Sequence, residues 1–169
     1  MTFRLRIKAI CALCTVVLIG CTSDAPVGFR DLDAPIGATT RFDALSFAGS
    51  WILSASFTPI PAGPVVITVA PEVAHLRITS NEIPDIAGLY REGAPGELIP
   101  FTRGRERLIV MWVDEDFQTA AVGTVSGSFG AVLDRDGIVP PDRANAAREI
   151  FDFYGWDVGQ LKRTIPWQS

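Results

Sequence analysis

The chain is poor in the residues that build chemical centres. Of its 169 residues one is histidine, His75, and three are cysteine. A metal site or an acid–base pair needs converging partners. A lone histidine in a strand-like run has none visible, so His75 reads as a partly exposed strand residue. Ser126-Gly127-Ser128 lacks the G-x-S-x-G frame and has no base in sight, which excludes a nucleophile elbow. Asp114-Glu115-Asp116 reads as a tight hairpin turn rather than a cation site, because aspartate is a favoured turn former. No catalytic residue, metal ligand or cofactor is expected, and the chain reads as a non-enzyme.

Positive charge and long apolar runs are also scarce. A bilayer-spanning helix needs about 20 apolar residues. The apolar stretch Ala9–Gly20 has twelve and follows Arg4, Arg6 and Lys8. That is the length and flank of a signal-peptide core, not of a membrane span. It ends in Leu18-Ile19-Gly20-Cys21, which resembles the lipobox of bacterial lipoproteins. The resemblance implies that residues 1–20 are removed and that Cys21 becomes the lipid-carrying N-terminus. Cys11 and Cys14 leave with the leader, so Cys21 is the only mature cysteine and no intramolecular disulfide is expected. Thr22 follows it, where aspartate would favour inner-membrane retention, so the expected location is the outer membrane, on its periplasmic side. Several acyl chains on one cysteine would hold the protein firmly. Removing the three leader bases leaves 12 basic residues against 19 acidic ones, a formal charge of −7. That balance argues against nucleic acid, which needs clustered Lys and Arg.

Residues 21–41 read as a flexible tether, punctuated by Pro26, Gly28, Pro35 and Gly37. Residues 42–169 read as one domain. From Gly49 short apolar runs alternate with turn signals about every ten residues, the habit of an all-β barrel or sandwich. Eight strands are predicted: Ser50–Phe57, Val65–Val69, Val73–Thr79, Asp85–Glu92, Glu97–Thr102, Arg107–Val113, Phe117–Thr124 and Ser128–Asp134. Eight antiparallel strands suffice to close an up-and-down barrel. In the first, Trp51, Leu53, Ala55 and Phe57 alternate onto one face, which should point inward. Ile109, Met111 and Val113 would leave a greasy outer face that needs cover. The segment Asp142–Tyr154 supplies it: Ala147, Ile150, Phe151 and Tyr154 follow helical spacing, Asp142 suits the helix dipole, and Gly155 is placed to end the helix. Trp156–Trp167 can add a short strand.

These residues resemble the lipocalins, most closely the bacterial outer-membrane lipoprotein type. Phe42-Asp43, then Gly49-Ser50-Trp51 with Ala55 and Phe57, is similar to the family's G-x-W motif at the start of the first strand. Val113 to Gly123 is similar to its acidic-aromatic motif at the turn between the sixth and seventh strands, with Asp116 and with Phe117 where tyrosine is usual. Leu133-Asp134-Arg135 resembles the end of the eighth strand, and Tyr154-Gly155-Trp156-Asp157 also matches. The likeness runs from about residue 42 to the C-terminus. It implies an eight-stranded antiparallel barrel, a calyx, with one C-terminal α-helix packed outside. Strand parity is independent of the family: eight alternating strands bring Trp51, the Asp114–Asp116 turn and Arg135 to one end. The stretch between Phe57 and Arg107 is shorter than the family's usual length, and Ile52 stands where an aromatic is common.

The expected function is to bind a small hydrophobic or amphipathic ligand, a fatty acid or lysophospholipid, for lipid storage or transport in the envelope. Leu53, Ala55, Phe57 and Phe101 would line the lumen, and Arg103, Arg105 and Arg107 on the open rim would meet an anionic headgroup. The alternative is a structural envelope lipoprotein whose barrel is filled by its own side chains. A cavity of about 300 Å³ or more would separate the two.

Overall fold

The computed structural model describes residues 28–70 and 75–164. Cys21, the beginning of the third predicted strand and Trp167 lie outside the described residues. Eight strands appear in chain order: β1 (Gly49–Ser56), β2 (Pro64–Ala70), β3 (His75–Thr79), β4 (Gly88–Glu92), β5 (Glu97–Pro100), β6 (Leu108–Val113), β7 (Thr119–Thr124) and β8 (Gly130–Asp134). Each pairs antiparallel with its sequence neighbour, and β1 closes the barrel by pairing with both β2 and β8. A short strand β9 (Lys162–Arg163) joins β1 at Ala55 and Ser56, beyond the part that β2 covers.

Helix α2 (Pro141–Phe153) lies outside the barrel against β6 and β7. Pro141 occupies the first turn, where its missing N–H costs nothing, and Gly155 adopts φ 79° just past the end. Ala144, Ala147 and Phe151 form its buried face. A four-residue helix α1 (Ala44–Phe47) was not expected. Asp43 caps it by accepting from Ser46 N at 2.7 Å, and α1 lays Phe47 across one end of the barrel, its ring 5.0 Å from that of Trp51.

Two β-bulges rewrite the inside–outside pattern. In β1 the register slips between Leu53 and Ala55. Leu53 stays opposite the inward Leu133, but Ala55 pairs with the outward Val132, and Ser56 faces the inward Ala131. One extra residue reverses every facing beyond it. Ala55 and Phe57 therefore do not line the lumen. They join the layer between barrel and helix, where the Phe57 ring lies 4.9 Å from Phe151 and 4.8 Å from Trp156. A second slip in β6, between Val110 and Trp112, leaves Ile109 and Met111 under the helix but turns Val113 inward.

Residues 28–41, expected as part of a flexible tether, are instead a packed strap. Phe29 N donates to Gly127 O at 2.9 Å, Asp31 N to Gly155 O at 2.8 Å and Thr39 N to Val110 O at 2.9 Å. Arg30 is buried and donates to three carbonyls: Tyr154 O (2.9 Å), Val125 O (3.0 Å) and Ala34 O. The strap thus runs from the β7–β8 turn to the end where α1 sits.

Candidate functional site

The end bearing α1 is closed. The guanidinium carbon of Arg135 lies 3.8 Å from the centroid of the Trp51 ring. Its nitrogens donate to Phe117 O (3.1 Å), Ser50 O (3.0 Å) and Ser46 O (2.8 Å). Burial lowers the Arg135 pKa from its ordinary value. Gly49 has φ 114°, and a Cβ there would come within 2.9 Å of Arg135 Nη1, so this motif glycine serves both backbone and packing. In the β6–β7 turn Asp114 Oδ1 accepts from Gln118 N (2.7 Å) and Thr119 N (2.6 Å). Asp116 accepts from Gln118 through its carbonyl. Phe117 takes φ 56°.

Beside that turn a groove of about 740 Å³ runs outside the barrel along α2, lined by Arg41, Trp112, Asp114, Asp116, Asp142 and Arg143 among others. One ion-pair network runs along it. Arg143 bridges Asp114 at 3.6 Å and Asp134 at 3.8 Å, and Asp134 also accepts from Thr119 Oγ1 at 2.6 Å. This network pins the start of α2 to the barrel.

Inside, buried residues form one continuous cluster from Phe42, Phe47 and Trp51 up to Leu108, Tyr90 and Phe129. The barrel is therefore filled by side chains over much of its depth. At the opposite end the β3–β4 connection folds into the mouth and buries Ile83 and Ile86. Two latches hold it. Tyr90 OH donates to Ile86 O at 2.7 Å, and Arg105 Nη1 donates to Asp85 O at 3.2 Å and to Ala87 O. Burial pushes the Tyr90 phenol up, partly opposed by the Arg105 charge.

Between this plug and the β5–β6 and β7–β8 turns lies a cavity of about 270 Å³. Its lining combines apolar Ile86, Tyr90, Leu108 and Phe129 with polar Arg105, Thr124 and Ser128 and the acidic Asp85 and Glu106. Thr124 Oγ1 and Ser128 Oγ are 3.1 Å apart and bonded. An amphipathic group fits this lining: carbon against the apolar side chains, oxygen toward the guanidinium and hydroxyls.

The predicted site residues separate. Leu53 is in the interior cluster, but near the filled middle of the barrel. Phe101 is half exposed and meets His75 outside the barrel, ring centroids 4.6 Å apart. It follows Pro100, where β5 ends and the alternation no longer applies. Of the three rim arginines only Arg105 borders the cavity. Arg107 pairs with Glu97 at 3.5 Å in solvent, and Arg103 is exposed in the turn. Sequence reasoning missed Tyr90, Ile83, Ile86 and Phe129. Tyr90 had a signal in alternating with Ile86 and Gly88 on one face of the fourth predicted strand.

In comparisons with known proteins, no family model and no curated protein matches the chain. Among solved structures, the siderocalin Ex-FABP, described as functioning through dual ligand specificities, superposes with a TM-score of 0.53 at 12% identity. The match covers 73% of this chain and 96% of that one. The chain thus has the lipocalin fold: a closed eight-stranded antiparallel up-and-down barrel with one helix packed outside.

Proposed function

We propose that this chain is a membrane-anchored binding protein that takes a small amphipathic lipid, a fatty acid or lysophospholipid, at the barrel mouth for storage or transport in the envelope. One observation carries the reading: the mouth cavity pairs apolar Tyr90, Leu108 and Phe129 with the Arg105 guanidinium and two hydroxyls. Its volume of about 270 Å³ falls just under the roughly 300–1,000 Å³ of common ligand pockets. A long acyl chain therefore enters only as Ile83 and Ile86 leave the mouth. Each buried methylene contributes about 0.8 kcal/mol. Eight supply roughly 6 kcal/mol before the cost of immobilising the chain, and micromolar affinity needs about 8. The headgroup contact with Arg105 supplies the remainder.

The anchor is Cys21, at the outer membrane on the periplasmic side, supported by Leu18-Ile19-Gly20-Cys21 and the short apolar stretch before it. Metabolic labelling with an alkyne fatty acid tests it: the wild type labels and Cys21→Ser does not. Equal labelling refutes the anchor.

A second reading, a structural envelope lipoprotein with a filled barrel, is favoured by the continuous side-chain cluster inside. Titrating a fluorescent fatty acid at low and high salt decides between them. Binding weakened by salt and by Arg105→Gln supports the first, since an exposed charge contact is screened and apolar burial is not. Unchanged fluorescence and melting temperature at saturating fatty acid and lysophospholipid support the second.

A further inference from the structure

We infer that the anchored protein sits mouth-first on the bilayer that holds Cys21. The inference rests on the anchor reading above and on where Gly28 sits in the fold. Gly28 lies against the β7–β8 turn, so close that a side chain there would strike Ser126 O, and Phe29 bonds Gly127. That turn borders the mouth cavity through Ser128 and Phe129. The six residues between Cys21 and Gly28 reach at most about 25 Å, whatever their conformation. Strand β1, eight residues long, runs about 23 Å at the usual rise, which is about 18 Å along the barrel axis at the usual strand tilt. The tether thus attaches at the mouth, and it would reach the closed end only when stretched almost fully along the barrel wall. Otherwise the closed end can approach the membrane only by bending the whole molecule over that attachment.

The charge of the connections differs between the two ends. In the mouth connections Arg103, Arg105 and Arg107 offset Glu82, Asp85 and Glu106, with Asp31, Asp152 and Asp157 beside Gly28. At the closed end Asp114, Glu115, Asp116, Asp136 and Asp142 outnumber Arg135 and Arg143. An anionic bilayer repels the closed end and is met at the mouth by an arginine-bearing turn. Exposed apolar residues occur at both ends, with Leu45 and Ile138 on the closed side, so they do not decide the orientation. In this pose a lipid passes from bilayer to cavity without crossing bulk water.

The test uses the lipidated protein in vesicles of phosphatidylethanolamine and phosphatidylglycerol. With Cys21 acylated, a cysteine introduced by Arg103→Cys at the mouth or Glu115→Cys at the closed end is the only thiol. Each is labelled with a fluorophore and challenged with a headgroup spin-labelled lipid. The Arg103 position is expected to be quenched several-fold more than the Glu115 position. Equal or reversed quenching, in protein that floats with the vesicles and is released by Cys21→Ser, overturns the orientation and leaves the anchor standing. If the wild type floats no better than Cys21→Ser, the anchor reading falls, and the orientation falls with it.

Discussion

Arg135 covers the face of Trp51 at 3.8 Å, while the indole N–H at the ring's edge donates to Phe47 O at 2.9 Å. Residues 84 positions apart in the sequence thus form the floor of the barrel together with α1. A guanidinium suits the place because its plane stacks on the ring while its donors spread to several carbonyls. Trp51→Ala is expected to cost about 3–5 kcal/mol. Arg135→Lys keeps the charge but loses the stacked plane and part of the fork, at about 1–3 kcal/mol. Urea unfolding of the non-lipidated Cys21→Ser protein measures both. A loss under about 1 kcal/mol for Trp51→Ala is incompatible with a buried floor.

Phe57 distinguishes lumen from joint. Its ring packs between Phe29, Phe151 and Trp156 on the outside of the barrel. Phe57→Ala should lower stability by about 3–5 kcal/mol and leave fatty-acid affinity unchanged. Parallel melts and titrations check this, and a selective loss of binding would return Phe57 to the lumen.

Gly130 faces the same joint. A Cβ there would collide with the Trp156 ring, and one at Gly123 would come within 2.6 Å of it. Gly130→Ala should displace the segment after α2 and cost about 1–3 kcal/mol, the scale of overpacking. Near-ultraviolet circular dichroism of the tryptophans reads the displacement. An unchanged spectrum with unchanged stability contradicts the close packing.

The plug controls ligand length. Ile83→Ala with Ile86→Ala removes the apolar contacts that hold the β3–β4 connection in the mouth, at about 2–5 kcal/mol each. Affinity should rise for longer acyl chains and change little for short ones. Calorimetric titration across fatty acids of increasing chain length gives the answer, and a parallel loss at all lengths would mean the plug is part of the binding surface.

Tyr90 adds an alkaline limit. Burial raises its pKa above the ordinary value, so the folded state favours the neutral phenol. Stability from this source is complete below about pH 10. It falls as pH rises, because the unfolded chain loses the proton first. Urea midpoints should drop above that pH, and Tyr90→Phe should drop less. Equal slopes would place the alkaline transition elsewhere.

Much of this architecture is written locally. Strand alternation and turn residues delimit the eight strands, helical spacing from Ala147 to Tyr154 marks α2, and parity alone brings Arg135 to Trp51. The bulges are not local. Nothing in Ser54 or Met111 announces an extra residue, because a bulge exists only relative to the partner strand. That is why Ala55 and Phe57 alternate correctly on paper and face the wrong way in space. Arg30 illustrates the same limit. Amid glycine and proline it reads as a solvated charge, and its burial depends on carbonyls of Val125 and Tyr154 far along the chain. The mouth cavity was legible only as far as Arg105, since residues 85–87 of the plug were expected to be strand and nothing local marks Ile83 as folding inward.

The strap also sets an order of assembly. Arg30 bonds across separations of 95 and 124 residues, so the ordered segment synthesised first is fixed last. Contacts of such long range close late, after the entropy of the intervening loop has been overcome. Until residue 156 arrives, Phe57, Met111 and Val132 stand bare on the outside of a nearly finished barrel. The nascent chain is most adhesive just before completion. A truncation after residue 140 is therefore expected to aggregate rather than to yield a smaller soluble barrel.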